Sequence, residues 1–253
     1  MEHAADPSHP RYRSLLMRHR LEVAAKKGML ADSAMIAHGR GEAYDYLLGE
    51  TTIPSAHAAT KFALQALVQA EQPVLSVNGN VVALAGDEMI KLADKIGCPL
   101  EVNIFYRTPE RMEALLTDLN ERKERLKLDV DILGANPDAT IPGLKGPRSK
   151  CESKGILQAD VILVPLEDGD RCEALVAMGK TVIVVDLNPL SRSSQRGSIT
   201  IVDELSRCLE NMLTIETEAL PSSLDSYDHN KTLQDALNAI VSGMKNRFSE
   251  AKE

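Results

Sequence analysis

"DVILVPLEDGDRCEALVAMGKTVIVVDLN", residues 160–188, holds two short apolar runs on either side of a helical segment. The runs 160–166 and 181–187 are rich in Val, Ile and Leu and do not alternate with polar residues, so they read as strands covered on both faces. Residues 170–179 read as the helix between them. Strand, helix and strand in this order make a parallel pair with a right-handed crossover. The unit fixes the fold class as α/β.

Outward from this unit the pattern repeats. Strands are predicted at 73–79, 99–106, 130–134 and 199–203, and helices at 86–97, 108–127 and 204–213. Thr108, Pro109 and Glu110 supply a cap, a first-position proline and an acidic first turn. Residues 135–155 read as irregular. Before the sheet, 11–28 reads as a helix with a basic face and 53–72 as an alanine-rich helix. Between them, 33–50 reads as a short apolar run, a Gly39-Arg40-Gly41 turn and a helical pattern. A polar connection, 217–230, leads to a last helix over 231–253. The expectation is a single domain over 1–253 with a Rossmann-like, doubly wound, mostly parallel sheet. Residues 1–72 form a helical N-terminal part, 73–216 the core, and 217–253 a C-terminal connection and helix.

Composition narrows the function. The net charge is −8, tryptophan is absent and aromatics make up 3%. A broad nucleic-acid surface with stacking platforms is therefore not expected. The four cysteines, Cys98, Cys151, Cys172 and Cys208, form no C-x-x-C pair, which fits reduced thiols and speaks against zinc. No apolar run approaches the roughly 20 residues of a membrane span. The prediction is a soluble, cytoplasmic protein with no membrane partner.

Ligands of open parallel sheets bind beyond the carboxyl ends of the strands, so those ends were compared. Asn78-Gly79-Asn80 follows the first strand and Tyr106-Arg107-Thr108 the second. Glu167-Asp168-Gly169-Asp170-Arg171 follows the strand at 160–166. Asp186, Asn188, Arg192 and Ser193 follow the strand at 181–187. Asn78 and Asn80 fit either a tight turn or a ligand site. Asp168 fits a helix cap, yet Glu167, Asp168 and Asp170 together could also hold magnesium. Asp186 occupies the strand end where Rossmann-type proteins read a ribose, and Arg192 and Ser193 suit phosphate oxygens. Arg40 between two glycines resembles a phosphate nest. Arg148 lies on a basic loop, and Arg18 by default on a solvated helix face. Walker-A, G-x-G-x-x-G, G-x-S-x-G and H-E-x-x-H motifs are absent. Residue chemistry alone thus predicts a binder of phosphorylated small molecules, with an enzyme as the expectation.

Longer strings go further. "SHPRYRSL", "IAHGRGEAYDYLLGE", "PVLSVNGNVVAL", "EVNIFYRTPER", "PDATIPGL", "VPLEDGDR", "DLNPLSRSS", "ITIVDE" and "NKTLQDAL" occur in order from Ser8 to the last helix. Together they closely resemble the archaeal 4-phosphopantoate–β-alanine ligase family, also called phosphopantothenate synthetase. The chain departs from that family's pattern at Glu204 and over Lys145–Pro147. The resemblance implies an ATP-dependent, AMP-forming synthesis of 4′-phosphopantothenate in coenzyme A biosynthesis, by a homodimer. It implies ATP contacts at Arg18, Arg40, Asp186, Leu187, Asn188, Arg192, Ser193, Asp203 and Glu204. On that basis Asn78, Asn80, Arg107 and Arg148 are expected at the acid substrate, the two arginines on its phosphate. Mg2+ is expected at Glu167, Asp168 or Asp170, and His38 is the expected acceptor of the amine proton. The rival readings are an oxidoreductase on the same sheet and a non-catalytic nucleotide sensor.

Overall fold

The computed structural model describes residues 6–250, with side chains to residue 245. The first five residues and the end of the predicted last helix, 251–253, lie outside the described residues. Three helices come first: α1 (Tyr12–Lys26), α2 (Ala34–Leu48) and α3 (Pro54–Gln69). Then follow β1 (Pro73–Val77), α4 (Gly79–Ile96), β2 (Leu100–Val102), α5 (Pro109–Leu126) and β3 (Ile132–Leu133). A small antiparallel pair, β4 (Ala139–Thr140) and β5 (Lys150–Cys151), sits in the segment expected to be irregular, followed by one π-type turn at Ser153–Leu157. The main sheet resumes with β6 (Val161–Pro165), α6 (Gly169–Ala177), β7 (Thr181–Val185), α7 (Arg192–Arg196) and β8 (Ile199–Ile201). Helices α8 (Leu205–Thr214) and α9 (His229–Glu250) close the chain, α9 packing on α2 and α3.

The six-stranded sheet is parallel throughout, in the order β3-β2-β1-β6-β7-β8. The chain therefore winds outward one way from β1 and then returns to wind the other way from β6. This is the Rossmann order, with its switch point between β1 and β6. Successive strand residues face opposite sides. Val74, Ile162, Val164, Val182 and Val184 pack under α6 with Cys172, Leu175 and Ile156. Leu75, Val77, Leu163, Ile183 and Val185 pack against the other layer with Leu67, Ile90, Leu115 and Leu209. Both faces are covered, which is why these strands carry no polar alternation.

Two expectations of local structure are corrected. Gly39, Arg40 and Gly41 are helical residues within α2, so no loop nest surrounds Arg40. The absent side chain of Gly41 would begin 3.6 Å from Leu187 Cδ1, which fits a helix laid close against the strand exit. Helix α4 also begins at Gly79 rather than at 86, with a break in its dihedrals at Ala85. Asn78-Gly79-Asn80 is thus a cap and first turn, not a reverse turn.

Candidate active site

The polar rim at the carboxyl ends of the strands is first of all a row of helix caps. The Asn78 side chain accepts from Val81 N at 3.1 Å, Asp168 from Arg171 N at 2.9 Å, and Ser191 from Ser194 N at 3.0 Å. Glu204 accepts from Ser206 N at 2.9 Å and Arg207 N at 3.1 Å. Each cap satisfies backbone donors that the first helical turn leaves open. Asn78 also donates to the carbonyls of Pro165 and Leu166, clasping β1 to β6 across the switch point. There Leu166 adopts φ 52°, a left-handed conformation rare for a branched residue and typical of sites where the backbone is held under strain.

Above this rim α1 and α2 form an opposite wall, and a cleft of about 900 Å³ lies between. Of the residues expected to bind, His38, Arg40, Asn78, Asn80, Arg148, Glu167, Asp186, Leu187, Asn188, Arg192, Ser193 and Glu204 line it. The fold brings them together from segments more than 160 residues apart.

On the β7 side, Asp186 accepts the Ser191 hydroxyl at 2.5 Å and Asn188 N at 2.9 Å. Burial raises its carboxyl above the ordinary range, while those two bonds and the Arg40 charge work the other way. Arg192 runs across the start of α6 to Asp170 and Glu173. A side chain on Gly169 would begin 2.5 Å from Arg192 Cγ, so only glycine leaves room for that path. The Ser193 hydroxyl donates to the Glu167 carbonyl at 2.5 Å.

On α2, His38 Nε2 is buried without a hydrogen-bond partner. Burial holds the imidazole below its ordinary pKa, although Glu42 one turn on pulls it upward. Glu42 is itself gathered by the Ser14 hydroxyl and by Arg18, whose Nη2 lies 2.8 Å away. Burial pushes the Glu42 carboxyl up, but Arg18 and Ser14 outweigh it and the net shift is downward.

Five expected residues do not line the cleft. Arg18 is occupied with Glu42, and Arg107 donates to the Gly134 carbonyl at 2.5 Å. Asp203 is buried against Thr52 and Arg207. Asp168 and Asp170 lie just beyond the rim, paired with Arg148 and Arg192. The three carboxylates expected at magnesium are all held by arginines in this arrangement. Glu167 is taken by Arg148 and the fully buried Arg171, and no group of three metal-binding side chains converges among the described residues.

Sequence reasoning passed over Arg11, Arg13, Glu42, Asp45, Arg111 and Arg207, all of which line the cleft. Arg111 was within reach of the strand-end rule, one helical turn past Arg107. The others lie on α1, α2 and α8, whose placement opposite the rim has no local signal.

The match to known proteins follows this geometry. Residues 55–243 match the model of the phosphopantothenate/pantothenate synthetase family. The chain belongs to that family. A 4-phosphopantoate–β-alanine ligase of Thermococcus onnurineus is 48% identical over 237 residues, covering 91% of this chain and 89% of the relative. The ligase of the same name from Methanosarcina mazei is 46% identical over 251 residues, covering 96% of both chains. The one from Methanospirillum hungatei is 44% identical over 211 residues, covering 83% of this chain and 84% of the relative. Among the described residues, no helix of this family member is long and apolar enough to cross a membrane.

Proposed function

We propose that this synthetase-family protein joins 4-phosphopantoate to β-alanine, converting ATP to AMP and pyrophosphate. The observation that carries the reading is the single cleft at the Rossmann switch point. It is lined by a nucleotide-type rim (Asp186, Asn188, Ser193) and faced by Arg40. A carboxylate does not condense with an amine unaided, so it is activated first. Its oxygen attacks the α-phosphorus of ATP, and the bond to the β-phosphate oxygen breaks. The amine of β-alanine then attacks the acyl carbon, the C–O bond to AMP breaks, and one proton leaves the nitrogen.

The protein's part is placement and charge compensation. Arg40 and Arg192 meet the triphosphate, with Arg18 behind them holding Glu42 in place. Asp186, Leu187, Asn188 and Ser193 seat the ribose and base, and the Asp203–Glu204 turn closes that end. Asn78, Asn80 and Arg148 face the acid. His38, neutral because it is buried, takes the amine proton at Nε2. Glu167, Asp168 and Asp170 do not fit as a resident magnesium set, and no step is assigned to them. The same reading takes the protein as a cytoplasmic homodimer, with exposed Ile36 and Leu47 on α2 as apolar surface for a second copy.

The test is incubation with ATP, β-alanine and 4-phosphopantoate, with pantoate as control, followed by measurement of AMP. AMP that appears only with all three substrates is expected. Binding of ATP with no AMP would make the protein a sensor, and selective binding of NAD(H) would make it an oxidoreductase.

A further inference from the structure

Seven guanidinium groups line the cleft: Arg11, Arg13, Arg40, Arg111, Arg148, Arg192 and Arg207. Five of them carry carboxylate partners. Among the described residues Arg40 and Arg111 pair with none. Arg40 is exposed, so water serves it. Arg111 is half-buried, and its hydrogen bonds go to two carbonyls, Tyr106 O at 2.6 Å and Met29 O at 3.4 Å. Its Nε is buried with no partner at all. Burial pushes this guanidinium below its ordinary pKa, and no carboxylate works the other way. Carbonyl dipoles orient a cation without neutralising it. A half-buried charge without a counter-ion is only partly compensated by water, and an arriving anion completes its pairing.

Position says which anion. Arg111 stands in the first turn of α5, past the end of β2, whereas the nucleotide rim follows β7. β1 and β6 lie between them, three strand spacings or about 14 Å. Arg111 is therefore remote from the nucleotide rim and suited to the non-reacting end of the acid. Gly79 is set by the Met29 carbonyl, 2.7 Å from where a side chain would begin, and this is the same carbonyl to which Arg111 donates. Of the two arginines expected at this phosphate, Arg107 does not line the cleft and Arg148 is already paired with Glu167 and Asp168.

We propose that Arg111 grips the phosphate of 4-phosphopantoate and sets the preference for the phosphorylated acid over pantoate. The inference rests on the ligase reading above. Its test is AMP formation by Arg111→Gln and Arg111→Lys, with either acid, at saturating ATP and β-alanine. Removing one partner of a desolvated charge pair predicts about a 30-fold or larger rise in KM for 4-phosphopantoate in Arg111→Gln. The preference over pantoate falls by the same factor, the KM values of ATP and β-alanine stay unchanged, and Arg111→Lys is intermediate. An undiminished preference in folded Arg111→Gln, or a loss confined to β-alanine, overturns the proposal. Should Arg111→Gln fail to fold by circular dichroism, Arg111→Lys decides on the same criterion. If the wild type forms no AMP from the three substrates, the ligase reading fails. Calorimetric titration of 4-phosphopantoate into wild type and Arg111→Lys then judges Arg111 separately, and equal affinities overturn it.

Discussion

His38 occupies a half-buried position on α2 where Nε2 meets no protein group, and burial disfavours its charged form. Two consequences follow from the same sign. Folding stability contributed by this group is present above the ordinary histidine value of 6.5 and is lost as pH falls through that value toward the lower folded one. If His38 takes the amine proton, the rate of amide formation has an acid limb below pH 6.5. We expect a pH–rate profile of kcat to show that limb in the wild type and to lose it in His38→Asn. A limb that persists unaltered in the variant would assign the proton to another group. At this scale the sequence was only partly legible. Asp186 could be placed on the cleft because it directly follows a strand, and Ser193 because it lies on the connection after it. Arg111 was not singled out, because distance from a strand end does not tell which of two neighbouring arginines, Arg107 or Arg111, lines the cleft. Asp168 could be read as cap or ligand, and the helix it starts gives it the capping role.

The segments that fix the cleft floor hold together through backbone donors. Glu101, on β2 and 1% exposed, accepts from Glu152 N at 2.9 Å and Ile156 N at 2.6 Å. Glu152 accepts in turn from Gly134 N at 2.6 Å. The π-type turn Ser153–Leu157 lies directly on the Glu101 carboxylate, and a side chain on Gly155 would strike that carboxylate and come 2.9 Å from Leu133 Cδ1. Gly155→Ala is expected to destabilise the protein by about 1–3 kcal/mol through overpacking, measured as a lower urea midpoint. A midpoint equal to wild type would show that the turn does not rest on Glu101 in solution. The strands themselves were readable from their apolar runs, but their ends were not. β2 is paired through Val102, and just past it Asn103 keeps its N–H on the Val77 carbonyl while its side-chain amide donates to the Arg148 and Lys150 carbonyls. Helix α2 was misread at Gly39–Gly41 because glycine costs about 1 kcal/mol in a helix, a local penalty that packing against Leu187 overrides.

For the molecule as a whole, the order of the sheet was legible as a class but not in detail. Alternating apolar runs and helices announce a parallel sheet, whereas nothing local tells that the chain returns beside β1 after β3. That return creates the switch point at which the cleft opens. A nucleotide that engages only the assembled cleft stabilises the folded state by mass action. At a hundred times its dissociation constant, ATP is expected to add about 2.7 kcal/mol. For a chain of this size that raises the melting temperature by about 5–11 °C in a thermal-shift assay. NADH at the same concentration should leave it unmoved. The reverse pattern would point to the oxidoreductase reading.

The strand exits provide one bank of the cleft, and α1 and α2 provide the other from the first fifty residues of the chain. None of the described residues among them belongs to a strand. No sheet pairing draws on α1 or α2, yet a protein shortened to begin at α3 would leave the polar rim an open ledge and bare the core that Met17, Leu21 and Leu48 cover. The cleft is thus the joint product of two stretches of one polypeptide, one that pairs the strands and one that walls them in.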